Sequence, residues 1–268
     1  MNIDGRSIAS DILADVKSNI EGRTVVVRAV TVSPSAATES YLRVKETRAR
    51  EAGMHMEVVR MPETSSTQEI IDMVRAPGAA GVIVQLPLPD HFDTQAILEA
   101  IPSSVDADVL SPNSYARFEV GEPESVVPPV AAAVAEILAR TDVEPNRKRV
   151  VIVGNGKLVG QPVAAWFGRF ADTTVRIVTK ESEELSKALA DADIVVSGAG
   201  VQGLIKPEYL KQGVVLIDAG TSESGGQMVG DSDPACSEKA SVFTPVPGGV
   251  GPIAVACLFR NVSLMLPA

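Results

Sequence analysis

Tyr41 and Lys45 stand four residues apart in a charged stretch that reads as a helix, so their side chains share one face. A lysine amine moves protons near neutral pH only if burial or a neighbouring charge lowers its pKa. Left exposed on that helix, Lys45 would be one more solvated cation. Gln85 ends the short apolar run from Gly81, beside the rigid Leu86-Pro87-Leu88-Pro89. An amide at that place could hold a lysine or a ligand without adding charge. Asp106 and Asp108 form a pair in an irregular segment. Either one could accept from the donor edge of a heterocycle, and both could equally be turn formers.

Three glycines and three prolines fall within the nine residues Thr244 to Pro252. Such a backbone has little freedom and permits a ligand to come close. The apolar run Ile253 to Phe259 follows and reads as a buried helix, so this stretch is either a tight turn into the core or a rigid wall for a planar ligand.

A third constellation is Gly154-Asn155-Gly156, with Gly160 four residues on, between an apolar strand and a helix. That is the setting of a dinucleotide fingerprint: one glycine for the turn, one for phosphate approach, and a helix N-terminus for the anion. The spacing is one residue longer than the usual Gly-x-Gly-x-x-Gly, and an ordinary strand–turn–helix would look similar. After the next strand come Thr179 and Lys180, where readers of a free ribose 2′-hydroxyl carry an acidic residue. A hydroxyl and an ammonium favour a 2′-phosphate, hence NADP over NAD, although Lys180 could also be a surface lysine beside Glu181. Ala219-Gly220-Thr221, past a strand ending at Asp218, is another place where a cofactor could touch the carboxyl end of a sheet.

The elements that would carry these groups alternate. Helices are expected over 6–20, 38–52, 67–74, 93–100, 129–140, 158–170 and 183–190, from apolar residues at helical spacing. Strands are expected over 24–32, 55–61, 81–85, 150–153, 174–178, 193–197 and 214–218. Continuous apolar strands alternating with helices imply parallel sheets covered on both faces. From Ser103 to Val127 the pattern weakens around Pro112, Gly121 and Pro123, which reads as the crossing between two domains, with 129–140 bridging them.

Bulk properties narrow the function classes. The 268 residues suffice for two modest domains, and 45% hydrophobic with 22% charged residues fits a globular chain. A net charge of −10 argues against nucleic acid and against an anionic membrane surface as partners. Cys236, Cys257, His55 and His91 show no zinc-ligand spacing, so no metal is expected. The start, Met1 to Arg6, has no signal-type apolar core, and no apolar run approaches the roughly 20 residues of a membrane span. A reducing cytoplasm is the expected compartment.

Taken together, Ile3-Asp4-Gly5-Arg6, Tyr41-x-x-x-Lys45, Val84-Gln85-Leu86-Pro87-Leu88-Pro89 and Pro247-Gly248-Gly249-Val250-Gly251-Pro252, in this order and spacing, resemble the bifunctional methylenetetrahydrofolate dehydrogenase/methenyltetrahydrofolate cyclohydrolase family over nearly the whole chain. The resemblance implies an α/β fold of two domains: a Rossmann-type parallel-sheet cofactor domain, residues 119–244, and an α/β catalytic domain, residues 1–118 with 245–268, with the folate in a cleft between them. It implies that Lys45 is the catalytic lysine, that Gln85 tunes its protonation, that Tyr41 stacks on the folate, and that Asp108 holds the pterin. Pro247, Gly248 and Gly249 would pack along the substrate, and Gly154, Asn155, Gly156, Thr179, Lys180 and Thr221 would hold NADP, or NAD. It further implies tetrahydrofolate derivatives as ligands, a homodimer, and a place in one-carbon metabolism and purine biosynthesis.

The chain also departs from the family pattern. Val105-Asp106-Ala107-Asp108-Val109 stands for the usual Lys-Asp-Val-Asp-Gly, and Val127-Pro128-Pro129-Val130 for Pro-Cys-Thr-Pro. Gly154-Asn155-Gly156 replaces Gly-Arg-Ser, and Thr179-Lys180 replaces His-Ser. Three other readings stay open at this point: a dehydrogenase without cyclohydrolase activity, a folate-binding protein with a degraded cofactor site, and a two-domain hydroxyacid dehydrogenase.

Overall fold

The computed structural model describes residues 1–179 and 185–267. By internal contacts the chain divides into two compact units, one of Ser10–Pro129 with Val255–Ala268 and one of Met1–Ala9 with Val130–Ala254. Both are α/β.

The first unit is built on most of α1 (Gly5–Asn19), whose first residues to Ala9 fall in the other unit, and on β1 (Val26–Val32), α2 (Ala36–Glu51), β2 (His55–Met61), α3 (Thr67–Arg75), β3 (Gly81–Val84), α4 (Thr94–Glu99) and α5 (Pro112–Glu119). Its sheet is parallel with order β2-β1-β3. β1 is central and almost wholly buried, as its valine-rich sequence requires. The ladder continues one residue past β3, where the Gln85 amide donates to the Val30 carbonyl at 2.9 Å. Gln85 therefore emerges at the carboxyl end of the sheet, where open parallel sheets gather their ligands.

Helix α5 lies inside 103–127, where the sequence pattern weakens and a crossing between domains is expected. Pro112 was the misleading residue. It occupies the first turn of α5, where a missing N–H costs nothing, and Ser111 caps the helix by accepting from the Ser114 amide at 3.1 Å.

The second unit runs through α6 (Pro129–Arg140), β4 (Arg149–Val153), α7 (Gly160–Phe167), β5 (Thr174–Val178), α8 (Leu185–Ala190), β6 (Ile194–Ser197), β7 (Val214–Asp218), β8 (Ser222–Ser224), β9 (Gln227–Val229) and β10 (Ala240–Phe243). Its five-stranded sheet is parallel, in the order β10-β7-β6-β4-β5, and β8 and β9 form a small antiparallel ribbon. The ribbon and β10 are not among the expected strands: unlike the equally short β3 and β6, which are buried and almost wholly apolar, β8 and β9 are polar or exposed and β10 begins Ala240-Ser241. Helix α9 (Val250–Leu264) closes the chain, and the boundary between the units falls within it.

The division by contacts differs from the expected boundaries at residues 1–9, 119–129 and 245–254. For residues 1–9 the physical reason is main-chain pairing: Ile3 donates to the Phe243 carbonyl at 2.8 Å and Phe243 donates to that of Met1 at 2.9 Å, extending the sheet beyond β10. No helix among the described residues is long and apolar enough to cross a membrane.

Candidate active site

In the first unit, Lys45 projects from α2 and is only 6% exposed. Its Nζ donates to Gln85 Oε1 at 3.1 Å, and Gln85 Nε2 donates to the Leu86 carbonyl at 2.9 Å. That second bond fixes the amide so that its oxygen faces the lysine. One turn earlier on α2, the Tyr41 ring centroid lies 5.0 Å from Lys45 Nζ, and the ring keeps 42% of its surface open. Burial lowers the Lys45 pKa, and the charge of Asp108 partly offsets this. Burial raises the Asp108 carboxyl, which Lys45 lowers and Asp106 raises further.

The two aspartates, left as alternatives by the sequence, occupy different environments. Asp106 is fully buried and spends both oxygens on the chain, accepting from the amides of Leu110 at 3.1 Å and Ser111 at 2.8 Å. Among the described residues no group hydrogen-bonds to the carboxylate of Asp108. Tyr41, Lys45, Gln85 and Asp108 thus share one neighbourhood, with a lysine poised to lose its proton and a carboxylate left open.

This arrangement has a clear pH consequence. A neutral amine can accept a proton, so a reaction that uses Lys45 as a base gains rate as pH rises, at a lower pH than an ordinary lysine would allow. Gln85→Glu puts a carboxylate where the neutral oxygen now stands and raises the Lys45 pKa. The rising limb of the pH–rate profile should then move to higher pH, with activity at pH 7 falling at least about tenfold. An unmoved limb would mean that Lys45 is not the titrating group.

In the second unit each glycine of the fingerprint has a distinct geometric reason. Gly154 has φ +101°, and a Cβ there would lie 2.7 Å from the Gly198 carbonyl oxygen. Gly160 opens α7, and its Cβ would lie 2.1 Å from the Gly154 carbonyl oxygen. Gly156, by contrast, faces open space. The N-cap of α7, Val159, makes no side-chain cap, so no side chain competes for the first-turn amides. An open glycine before an uncapped helix start fits a pyrophosphate. Asn155, Thr179 and Thr221 are exposed along the carboxyl edge of the sheet, and Lys180 lies outside the described residues. Lys157, passed over in the motif, is exposed in the same loop.

Beneath this edge lie two buried aspartates whose roles the sequence reading did not anticipate. Asp231 accepts from the Ser197 hydroxyl at 2.6 Å and the amides of Ala199 and Val201 at 2.7 Å each. Asp218 accepts from the amides of Gly220, Asp231 and Ser232. They hold the loops after β6 and β7 in place, and a Cβ on Gly220 would strike the Asp231 carboxyl at 2.1 Å. The signal available was polar residues at the ends of apolar strands.

Pro247, Gly248 and Gly249 also belong to the second unit. Gly248, at φ +107°, accepts through its carbonyl from the Gly5 amide at 2.9 Å. A Cβ on Gly5 would lie 1.9 Å from the Gly249 oxygen, so two motifs far apart in sequence form one packed turn.

Residues 3–108 match the catalytic domain of tetrahydrofolate dehydrogenase/cyclohydrolase, and residues 128–267 match the NAD(P)-binding domain of the same family. The chain belongs to this family. The bifunctional protein FolD of Lactococcus lactis subsp. lactis is 34% identical over 274 residues, covering 97% of this chain and 94% of that protein. The crystal structure of the bifunctional FolD of Campylobacter jejuni superposes with a TM-score of 0.94 at 28% identity, covering 99% and 98% of the two chains. That of Trypanosoma brucei FolD, complexed with NADP cofactor and inhibitor, gives 0.92 at 32% identity, covering 99% and 96%.

For a tetrahydrofolate dehydrogenase/cyclohydrolase, the departures now have places in the fold. Val109 stands where the family usually has glycine, and it takes φ +55° while only 4% exposed. A β-branched residue in the left-handed region carries strain of about 1–3 kcal/mol that a glycine would not. The burial of its side chain offsets this by about 1.5–3 kcal/mol. The Gly154-Asn155-Gly156 loop, with Gly154 at φ +101°, lacks the arginine and serine of the family pattern.

Proposed function

We propose that this chain oxidises 5,10-methylenetetrahydrofolate to the 5,10-methenyl form with NADP, or NAD, and hydrolyses that product to 10-formyltetrahydrofolate. The observation that carries the reading is a lysine, 6% exposed, held by a neutral amide 3.1 Å away. A carboxylate in place of Gln85 would keep the lysine charged, and an exposed lysine would be charged in any case.

The bound nicotinamide supplies the acceptor for the hydride leaving the methylene carbon. Gly154, Gly156 and the start of α7 would hold its phosphates, and Asn155, Thr179 and Thr221, with Lys180 as the sequence suggests, would meet the rest of the dinucleotide. Tyr41 offers its ring to the folate, Asp108 accepts from the pterin, and Pro247-Gly248-Gly249 presents backbone to the substrate. In the second reaction water adds to the carbon bridging N5 and N10. Lys45 takes the proton that this oxygen sheds. The same oxygen gives up its second proton as the bond from that carbon to N5 breaks and the carbonyl forms, N5 takes up a proton, and the formyl group stays on N10, with one proton released overall.

The functional division in this proposal is residues 1–118 with 245–268 for folate and 119–244 for the cofactor. The same reading makes the protein a cytoplasmic homodimer that feeds formyl groups to purine biosynthesis.

The test is an absorbance time course with purified protein and 5,10-methylenetetrahydrofolate, run with NADP and with NAD. Cofactor-dependent turnover with methenyl decay above the uncatalysed rate is expected, faster with NADP. Lys180→Ala should weaken NADP more than NAD. Turnover with neither cofactor, with folate binding intact, would replace this proposal with a folate-binding protein.

A further inference from the structure

Asn261 interrupts the apolar face of α9 and is 3% exposed. Its Nδ2 donates to two carbonyl oxygens, those of Ala107 at 2.9 Å and Val127 at 2.8 Å. A primary amide has the two hydrogens this requires, and an acid or an aliphatic side chain does not. The Ala107 carbonyl belongs to the residue directly before Asp108.

The same short segment is tied at two more points. The Val105 carbonyl accepts from the Val82 amide at 2.7 Å, where residues 105–106 run beside β3. Asp106 holds the amides of Leu110 and Ser111. Among these ties sits Val109 at φ +55°, a conformation that persists in a β-branched residue only when its surroundings over-determine it. Asp108 receives no hydrogen bond of its own among the described residues. With no hydrogen bond to hold the side chain, the backbone on either side sets where it starts, and that backbone is clamped.

We propose that Asn261 is a positioning residue for Asp108: through the Ala107 carbonyl it fixes the backbone that presents the Asp108 carboxylate to the donor edge of the substrate's pterin. The inference rests on the proposed role of Asp108 in folate binding. Asn261 touches no reacting atom and acts only through the loop.

The experiment compares four variants of the full-length protein: Asn261→Leu, Val262→Ala, Asp108→Asn, and Asn261→Leu combined with Asp108→Asn. Val262 packs on Gly81 from the same helix, so its truncation disturbs α9 without touching the clamp. Asn261→Leu should raise KM for methylenetetrahydrofolate roughly tenfold, with kcat and the KM for NADP little changed. Val262→Ala should leave the folate KM alone despite a lower Tm. The double variant should show the KM of Asp108→Asn, because a residue acting through another adds nothing once that other is gone. If Asn261→Leu fails to fold, Asn261→Ser, which keeps one donor, carries the same comparisons. A folate KM that is unmoved, or moved equally by Val262→Ala, or additive with Asp108→Asn, overturns the inference and leaves Asn261 a support of the fold. A normal KM in Asp108→Asn removes the reading of Asp108, and the inference with it. A raised KM in Asp108→Asn beside an unmoved one in Asn261→Leu removes the inference alone.

Discussion

Lys45→Met should lower methenyltetrahydrofolate hydrolysis roughly 10²–10⁴-fold, the range expected for loss of a positioned acid or base. Folate binding should stay within about threefold, since the change removes a proton carrier and keeps the stem that fills the site. Methionine suits a position that is 6% exposed. Stability gives an internal control, with a definite sign. Burial lowers the folded-state pKa of Lys45 below its unfolded value. Between those two values the unfolded chain holds the extra proton. The native residue therefore destabilises the fold most at low pH, and that penalty fades as pH rises through the window and is gone above the unfolded pKa. Lys45→Met removes an amine whose charged form burial disfavours, so the variant should unfold at the same or a higher temperature than the native chain, with the gain largest at low pH. Hydrolysis that persists in a well-folded variant would take Lys45 out of the chemistry. A variant that melts early would point instead to the Gln85 oxygen left without its donor.

Gly160→Ala should act on the other activity. The added methyl would stand 2.1 Å from the Gly154 carbonyl oxygen and 2.9 Å from Asn155 Cα, both backbone atoms of the phosphate loop. Backbone cannot turn aside as a side chain can, so the loop must move by an ångström or so. A displacement of that size at a phosphate cradle costs about 10²-fold in cofactor-dependent rate. Hydrolysis of methenyltetrahydrofolate supplied directly should change less than about twofold, because Lys45 and Gln85 sit on other elements. Isothermal titration with NADP and the two separate assays read these effects. A parallel loss of both activities would mean that the substitution unfolds the chain rather than closing the loop. Paired with Lys45→Met, the variant should divide the two reactions cleanly.

The alternating elements were legible because parallel strands buried on both faces are mostly apolar, as in Val26–Val32, broken only by Arg28 and Thr31, and in Val214–Asp218, which turns polar only at its end. His55–Met61, Pro129–Arg140 and Thr174–Val178 fall at the expected residues. The motifs were legible for a related reason: glycines and prolines at fixed spacing report backbone demands that few other residues can meet. Helix α5 was not legible, because Pro112 signals a helix start and a chain break alike. Nor were β8, β9 and β10, which lack the continuous buried apolar run that made the equally short β3 and β6 legible.

Residue types and order alone determined the family, the α/β class and the identity of the candidate lysine, since each depends on local spacing along the chain. Whether Lys45 titrates as a surface amine or a buried one depends on what lies over it, and Gln85, its hydrogen-bond partner, is forty residues away. The choice between Asp106 and Asp108 likewise rested on which carboxylate the backbone amides of 110 and 111 had already taken. Protonation and hydrogen-bond saturation are properties of an environment assembled from distant segments, and only the tertiary structure decides them.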